Sequence, residues 1–160
     1  MDYLWTPWRY PYVSGGVKDE GCIFCAAAEG KDDSKSLIVL RSRKNFVILN
    51  RYPYTSGHVM VVPYAHQATL AAMEPETLAE MMTLARRIEE ALAKLYHPDG
   101  YNLGMNLGRA AGAGIAAHLH LHVLPRWAGD TNFMTTVGEA RVQPEELKTT
   151  YERLRGALNA

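Results

Sequence analysis

The chain has 160 residues, 48% of them hydrophobic, and its 17 basic and 17 acidic side chains balance to zero formal charge. That length suits one domain burying about 70% of its unfolded surface, and the charge balance argues against broad electrostatic binding to nucleic acid or to a membrane surface. No stretch reaches the ~18 apolar residues of a membrane span, and no basic segment followed by an apolar run opens the chain, so a cytoplasmic protein is expected.

Residues 1–21 hold two Trp, three Tyr and two Pro without a clean period. So many aromatics suit an arm packed across the domain or a neighbouring subunit better than a free tail, and Trp5 and Trp8 are expected to pack structurally. Cys22-Ile-Phe-Cys25 contains the only two cysteines. In a cytosolic protein such a pair reads as metal-binding or redox-active, and two thiols cannot close a tetrahedral zinc site alone. His66 and His118 are candidates to complete it. Ser36–Leu40 and Phe46–Leu49 are short β-branched runs that read as a hairpin. Asn50–Gly57 is a turn cluster, and Val59–Val62, entered by His58, is the next strand.

Glu76–Leu95 carries a helical pattern: Leu78, Met81, Met82, Ala85, Ile88, Leu92 and Leu95 recur at three and four. Glu80, Arg86, Arg87, Glu89, Glu90 and Lys94 face away. Pro75 suits its first turn, and Pro98 with Gly100 ends it. Tyr101–Leu107 and Ala117–Leu124 read as two further strands. Residues 127–137 are irregular, and Trp127 within them is expected to contact substrate or a second subunit. Gln143–Leu158 is a terminal helix with Pro144 in its first turn. Strands in the middle with flanking helices suggest an antiparallel sheet in an α+β domain. No linker or repeat divides the chain.

The densest chemistry lies in Ala117–Trp127, A-H-L-H-L-H-V-L-P-R-W, where three of the chain's six histidines alternate with apolar residues. On a strand this period sets His118, His120 and His122 on one face and Leu119, Leu121 and Val123 on the other. Pro125 is expected to end the ladder, having no N–H to donate. Three imidazoles on one face suit either a metal site or nucleophilic catalysis, one ring attacking while its neighbours orient it. Just upstream, Gly108, Gly112 and Gly114 alternate with small residues, a composition that brings backbone N–H groups close to an anion. An anion cradle beside imidazoles favours a phosphate substrate and a nucleophilic histidine.

His118-Leu-His-Leu-His-Val-Leu124 resembles the histidine-triad motif of the HIT nucleotide hydrolases and transferases. Asn50–Pro63 and Asn106–Trp127 resemble that family's two conserved blocks. Leu4–Arg9 and Pro125–Phe133 are similar to the branch holding bacterial diadenosine-tetraphosphate phosphorylases. The resemblance implies a five-stranded antiparallel half-barrel with one long helix and a C-terminal helix, in a homodimer formed through a strand and the long helix. It implies an adenosine nucleotide or dinucleoside polyphosphate as substrate, with His120 as nucleophile and His122 and His58 assisting. Asn50 would contact the ribose, and Asn106 with the amides of Gly112, Gly114 and Ile115 would hold phosphate. It further implies a structural zinc on Cys22, Cys25, His66 and His118, and no organic cofactor. One departure stands out: where most members carry Gln and then Ser or Thr, this chain has Gly114 and Ile115. Those side-chain donors are missing, so backbone amides or water must serve, and the acceptor, phosphate or water, stays open. Three alternatives compete: a hydrolase of adenylylated small molecules or proteins, a zinc hydrolase with all three His as ligands, and a nucleotide- or zinc-binding regulator without turnover.

Overall fold

The computed structural model describes residues 21–131, 135 and 143–160; the aromatic arm up to residue 20, with Trp5 and Trp8, lies outside them. The order is α1 (Ile23–Glu29), α2 (Asp33–Ser36), β1 (Ile38–Arg41), β2 (Asn45–Leu49), β3 (Val59–Pro63), α3 (Pro75–Tyr96), β4 (Gly100–Gly104), β5 (Leu121–Arg126) and α4 (Leu147–Asn159). The five strands form one antiparallel sheet in the order β1-β2-β3-β5-β4.

Alternation along the strands sorts side chains onto two faces, and both are apolar near the centre. Val47, Leu49, Val59, Val61, Leu121 and Val123 join Met81, Leu84, Ile88, Leu92 and Leu154 in the core beneath α3 and α4. Ile38, Phe46, Ile48, Met60 and Val62 form a second cluster on the opposite face, with Phe24 from α1 seated on it. This accounts for the unbroken burial of β2 and β3, which a sheet with one wet face would lack.

Several expected boundaries move. Ser36 belongs to α2, and β1 begins at Ile38 after Leu37 turns through a left-handed conformation, φ 64°. β4 stops at Gly104, not Leu107. β5 starts at Leu121, not Ala117, and runs through Pro125 to Arg126, which pairs with Gly100. Pro125 therefore does not end the ladder: the pairing of β5 with β3 has already stopped at Val123, so on that side no donor is needed at 125. Pro144 precedes α4, which opens only at Leu147.

On α3 the inward face is Thr77, Met81, Leu84, Ala85, Ile88, Ala91 and Leu92. Met82 is 56% exposed, because it stands one residue past the buried stripe. Glu80 is not a solvated charge. Its Oε1 accepts from the N–H groups of Lys44 and Asn45 at 2.9 and 3.0 Å and from Asn45 Nδ2 at 3.1 Å, pinning the start of β2 to the helix. Gly57 precedes β3 with φ 80°, and a Cβ there would lie 3.0 Å from Leu92 and 3.1 Å from Pro125. The turn thus needs glycine for both its conformation and its close packing.

Candidate functional site

The second face of the sheet is where the histidines gather. Met60, a member of the Phe24 cluster, pairs across strands with His122, so the imidazoles share that face as strand alternation expects. His58, His118, His120 and His122 are all buried. They do not converge on one point. Each ring has its own partner, and those partners fix where each proton sits.

His58 is the most constrained. Its Nδ1 accepts the backbone N–H of Tyr54 at 3.2 Å and faces the Asn50 amide nitrogen at 3.4 Å, while Asn50 Oδ1 accepts the N–H of Tyr52 at 2.9 Å. A nitrogen that accepts carries no proton, so in the neutral ring the hydrogen resides on Nε2. That Nε2 lies 2.9 Å from His122 Nδ1 and donates to it, leaving the His122 proton on its own Nε2. His120 Nδ1 is 2.8 Å from the His118 carbonyl oxygen, which can only accept, so His120 donates from Nδ1 and bears its lone pair on Nε2. His118 Nε2 donates to the Pro63 carbonyl at 2.9 Å, leaving Nδ1 free to ligate.

All four rings are held neutral. Burial brings His58 down to about 3, with His122 and His120 adding like-charge repulsion. Burial and then His120 bring His122 to about 4. Burial likewise lowers His120 and His118 against the carbonyls that favour their charged forms.

Rings line the site in file. Phe24 is centred 5.1 Å from His120, His120 4.9 Å from His122, and His122 6.0 Å from Tyr54, which also lies 4.7 Å from His58. Neither Phe24 nor Tyr54 is a candidate from sequence alone: Phe24 sits in an Ala-rich seven-residue helix with no long period, and Tyr54 is one aromatic within a turn cluster.

The glycine loop contains a 3-10 turn, Arg109–Ala111, entered at Gly108 with φ 83° and left at Gly112 with φ 87°. The N–H groups of Ala111 and Ala113 bond the Gly108 carbonyl, and that of Gly112 bonds Arg109. Gly112 is therefore a shaping residue whose own amide is engaged. The amides of Gly114 and Ile115 make no such backbone bond among the described residues. The Ile115 side chain packs on the Phe24 cluster. Asn106 Nδ2 lies 4.0 Å from where a Gly112 Cβ would stand, so those two come together at the loop. Trp127 does not join them. Its Nε1 donates to the Tyr96 carbonyl at 3.3 Å, beyond the far end of β5 and ~16 Å along the strand from His122.

Cys22, Cys25, His66 and His118 bring one donor atom each to within 4.8 Å of one another, and among the described residues no other group of His, Cys, Asp or Glu does so. His118 Nδ1 is 3.2 Å from Cys22 Sγ and 3.7 Å from Cys25 Sγ, and His66 Nδ1 is 3.3 Å from Cys25 Sγ. Zinc at ~2.3 Å from sulfur and ~2.0 Å from nitrogen requires donor edges of roughly 3.3–3.8 Å; three edges lie close to that range and all lie within 4.8 Å, so small side-chain shifts would let the four close round the ion. The Pro63 carbonyl behind His118 supplies the orienting outer partner such a ligand needs. His120 and His122 stand outside this group, which removes the zinc hydrolase with three triad ligands.

The HIT domain family model matches residues 31–129. The chain is 37% identical to the AP-4-A phosphorylase of Mycobacterium tuberculosis over 161 aligned residues, 96% of this chain and 83% of that protein. In fold it is similar to a Zn-bound histidine triad family protein from Mycobacterium smegmatis, with TM-score 0.71 and 33% identity over 88% and 94% of the two chains. A hypothetical histidine triad nucleotide-binding protein from Sulfolobus tokodaii follows at TM-score 0.68 and 27% identity, over 86% and 92%. The matched span contains the whole file of imidazoles, and the chain belongs to the HIT family as a nucleotide-processing enzyme of the hydrolase and transferase class.

Proposed function

We propose that the whole chain acts as one HIT domain that cleaves dinucleoside polyphosphates, as a diadenosine-tetraphosphate phosphorylase does, through a nucleotide carried on His120. The observation that carries this reading is the tautomer of His120: the His118 carbonyl holds its Nδ1 proton, which leaves the lone pair on Nε2.

A neutral imidazole attacks a phosphate without charge repulsion. His120 Nε2 gives its electron pair to the α-phosphorus, and the P–O bond to the departing polyphosphate breaks with both electrons leaving on oxygen. The Nε2–H of His122 donates a hydrogen bond to that oxygen; because phosphate titrates near pH ~6, no full proton transfer is required. The nucleotidyl-His120 ring is then cationic, and its Nδ1–H bond to the His118 carbonyl steadies the charge. An acceptor next attacks the same phosphorus, and the P–N pair returns to Nε2; a water acceptor releases its surplus proton to solvent. Inorganic phosphate as acceptor releases ADP, whereas water releases AMP. Asn106 and the amides of Gly114 and Ile115 bind the phosphate oxygens in place of the missing Gln and Ser or Thr. Asn50 reaches the ribose while its amide also braces His58.

Zinc on Cys22, Cys25, His66 and His118 supplies a structural cross-link between α1, the segment after β3 and the entry to β5. The enzyme works in the cytoplasm as a homodimer, and Trp127, held by the Tyr96 carbonyl away from its own triad, contacts the second subunit. The test is incubation with diadenosine tetraphosphate, with and without inorganic phosphate, followed by product separation and intact-mass analysis. ADP only with phosphate establishes the phosphorylase, and an added AMP mass that His120→Ala lacks establishes the carrier. AMP in both establishes a hydrolase. An adenylylated small molecule cleaved while the tetraphosphate stays intact favours the hydrolase of such compounds.

A further inference from the structure

Tyr54 is 49% exposed, yet it is not a loose surface ring. Its backbone N–H is held by His58 Nδ1, and the preceding Pro53 carbonyl accepts from Gln143 Nε2 at 3.0 Å. One side of the ring lies on His58, 4.7 Å away, and it is near-parallel to His122 at 28° and 6.0 Å. Among the described residues no ring contact joins it to His120, whose aromatic neighbours there are Phe24 and His122. The file therefore runs Phe24, nucleophile, leaving-group donor, Tyr54. A group expelled from phosphorus attached to His120 passes His122 and meets Tyr54 next.

We propose that Tyr54 is the specificity-determining residue on the leaving-group side, a preset platform on which the base of the departing nucleotide stacks. This rests on the assignment of His120 as nucleophile and His122 as donor to the leaving oxygen. The chemistry is that of a planar ring held by its backbone, with its inner face already desolvated by the histidines and its outer portion open. Such a surface gains from a second planar π-system without ordering a mobile side chain. The ligand class it selects is a nucleotide whose leaving half carries a base, as opposed to one that departs as a bare inorganic anion.

Equilibrium binding tests it without turnover. The probes are a methylene-bridged, non-hydrolysable diadenosine tetraphosphate and AMP, titrated into wild-type protein and the Tyr54→Ala, Tyr54→Phe and Tyr54→Trp variants. Stacking of one base predicts that Tyr54→Ala weakens the bridged dinucleotide about 10-fold or more. AMP, seated on the nucleophile side, changes less than about 2-fold, and both aromatic variants stay within about 3-fold of wild type. Equal weakening of both ligands overturns the proposal, because the ring then only supports the histidines. Unchanged dinucleotide binding in Tyr54→Ala also overturns it and leaves the wider functional reading standing. Wild-type protein that binds neither probe overturns the nucleotide reading itself and this assignment with it.

Discussion

His58 Nε2 stands 2.9 Å from His122 Nδ1, and the direction of that one hydrogen bond decides which nitrogen of His122 carries the proton. Because the Tyr54 amide occupies the opposite nitrogen of His58, the bond can run only from His58 to His122. Replacing His58 by Phe keeps bulk but removes the donor, so His122 samples the wrong tautomer. We expect kcat to fall about 100-fold or more with zinc content unchanged, measured by steady-state kinetics and metal analysis. A kcat within a factor of 3 of wild type would show that the pair does not govern the reaction.

His120→Ala is expected to remove turnover to the limit of detection, with the melting temperature within a few degrees of wild type. The ring is buried beside Phe24 but lies outside the main cluster under α3 and α4, so its loss costs about 1–2 kcal/mol of stability at most. Retention of normal turnover in the purified variant refutes the covalent route.

Acid should unfold this protein in a specific window. His58 and His122 have folded values of about 3 and about 4, below the ordinary 6.5, so the unfolded chain binds more protons between those limits. The stability they contribute is complete above pH 6.5 and is lost as pH falls toward 4. His58 alone accounts for about 3 kcal/mol by pH 4. Urea unfolding from pH 7.5 to pH 4 should show a monotonic decline that His58→Phe makes shallower. Parallel curves for the two proteins would contradict the buried neutral ring.

Metal removal is expected to act first on structure. Cys22→Ser or Cys25→Ser should lower bound zinc to below one-tenth of wild type by mass spectrometry and depress the melting temperature by several degrees. His120→Ala should retain the full complement. Loss of zinc in His120→Ala, or full zinc in Cys22→Ser, would redraw the ligand set.

Two scaffold positions have defined costs. Gly57→Ala forces a left-handed alanine against Leu92 and Pro125, with an expected loss of about 1–3 kcal/mol. Glu80→Ala strips the acceptor from two backbone N–H groups and Asn45, with a similar loss of about 2–3 kcal/mol. Chemical denaturation measures both.

What was legible from the residues follows from how each signal is encoded. The alternation in Leu119–Val123 placed the histidines on one face even though the sheet ladder begins only at Leu121, because side-chain period survives where pairing does not. Cys22, Cys25, His66 and His118 are legible as residue types and, through the family resemblance, as one set, but spacing alone does not show their neighbourhood: His66 lies 41 positions after Cys25 and His118 another 52 after His66. Met82 and Glu80 were misassigned on α3 because a helical stripe read by spacing leaves a one-residue ambiguity at its edge. The role of Gly112 as a turn former was hidden by its neighbours: a glycine-rich run does not announce which amides close the turn. Phe24 and Tyr54 carry no pattern at all; only the fold sets them beside His120 and His122.

The acceptor that aligns His120 belongs to the residue two places earlier in the same strand segment, and the sheet ladder leaves that carbonyl unclaimed because it starts at Leu121. Ring and aligning group thus travel together in one tripeptide, His118-Leu119-His120. Any drift of the remaining protein moves both as a unit, so a redesigned scaffold can remodel its surroundings extensively while keeping the proton of His120 on Nδ1 and the lone pair on Nε2.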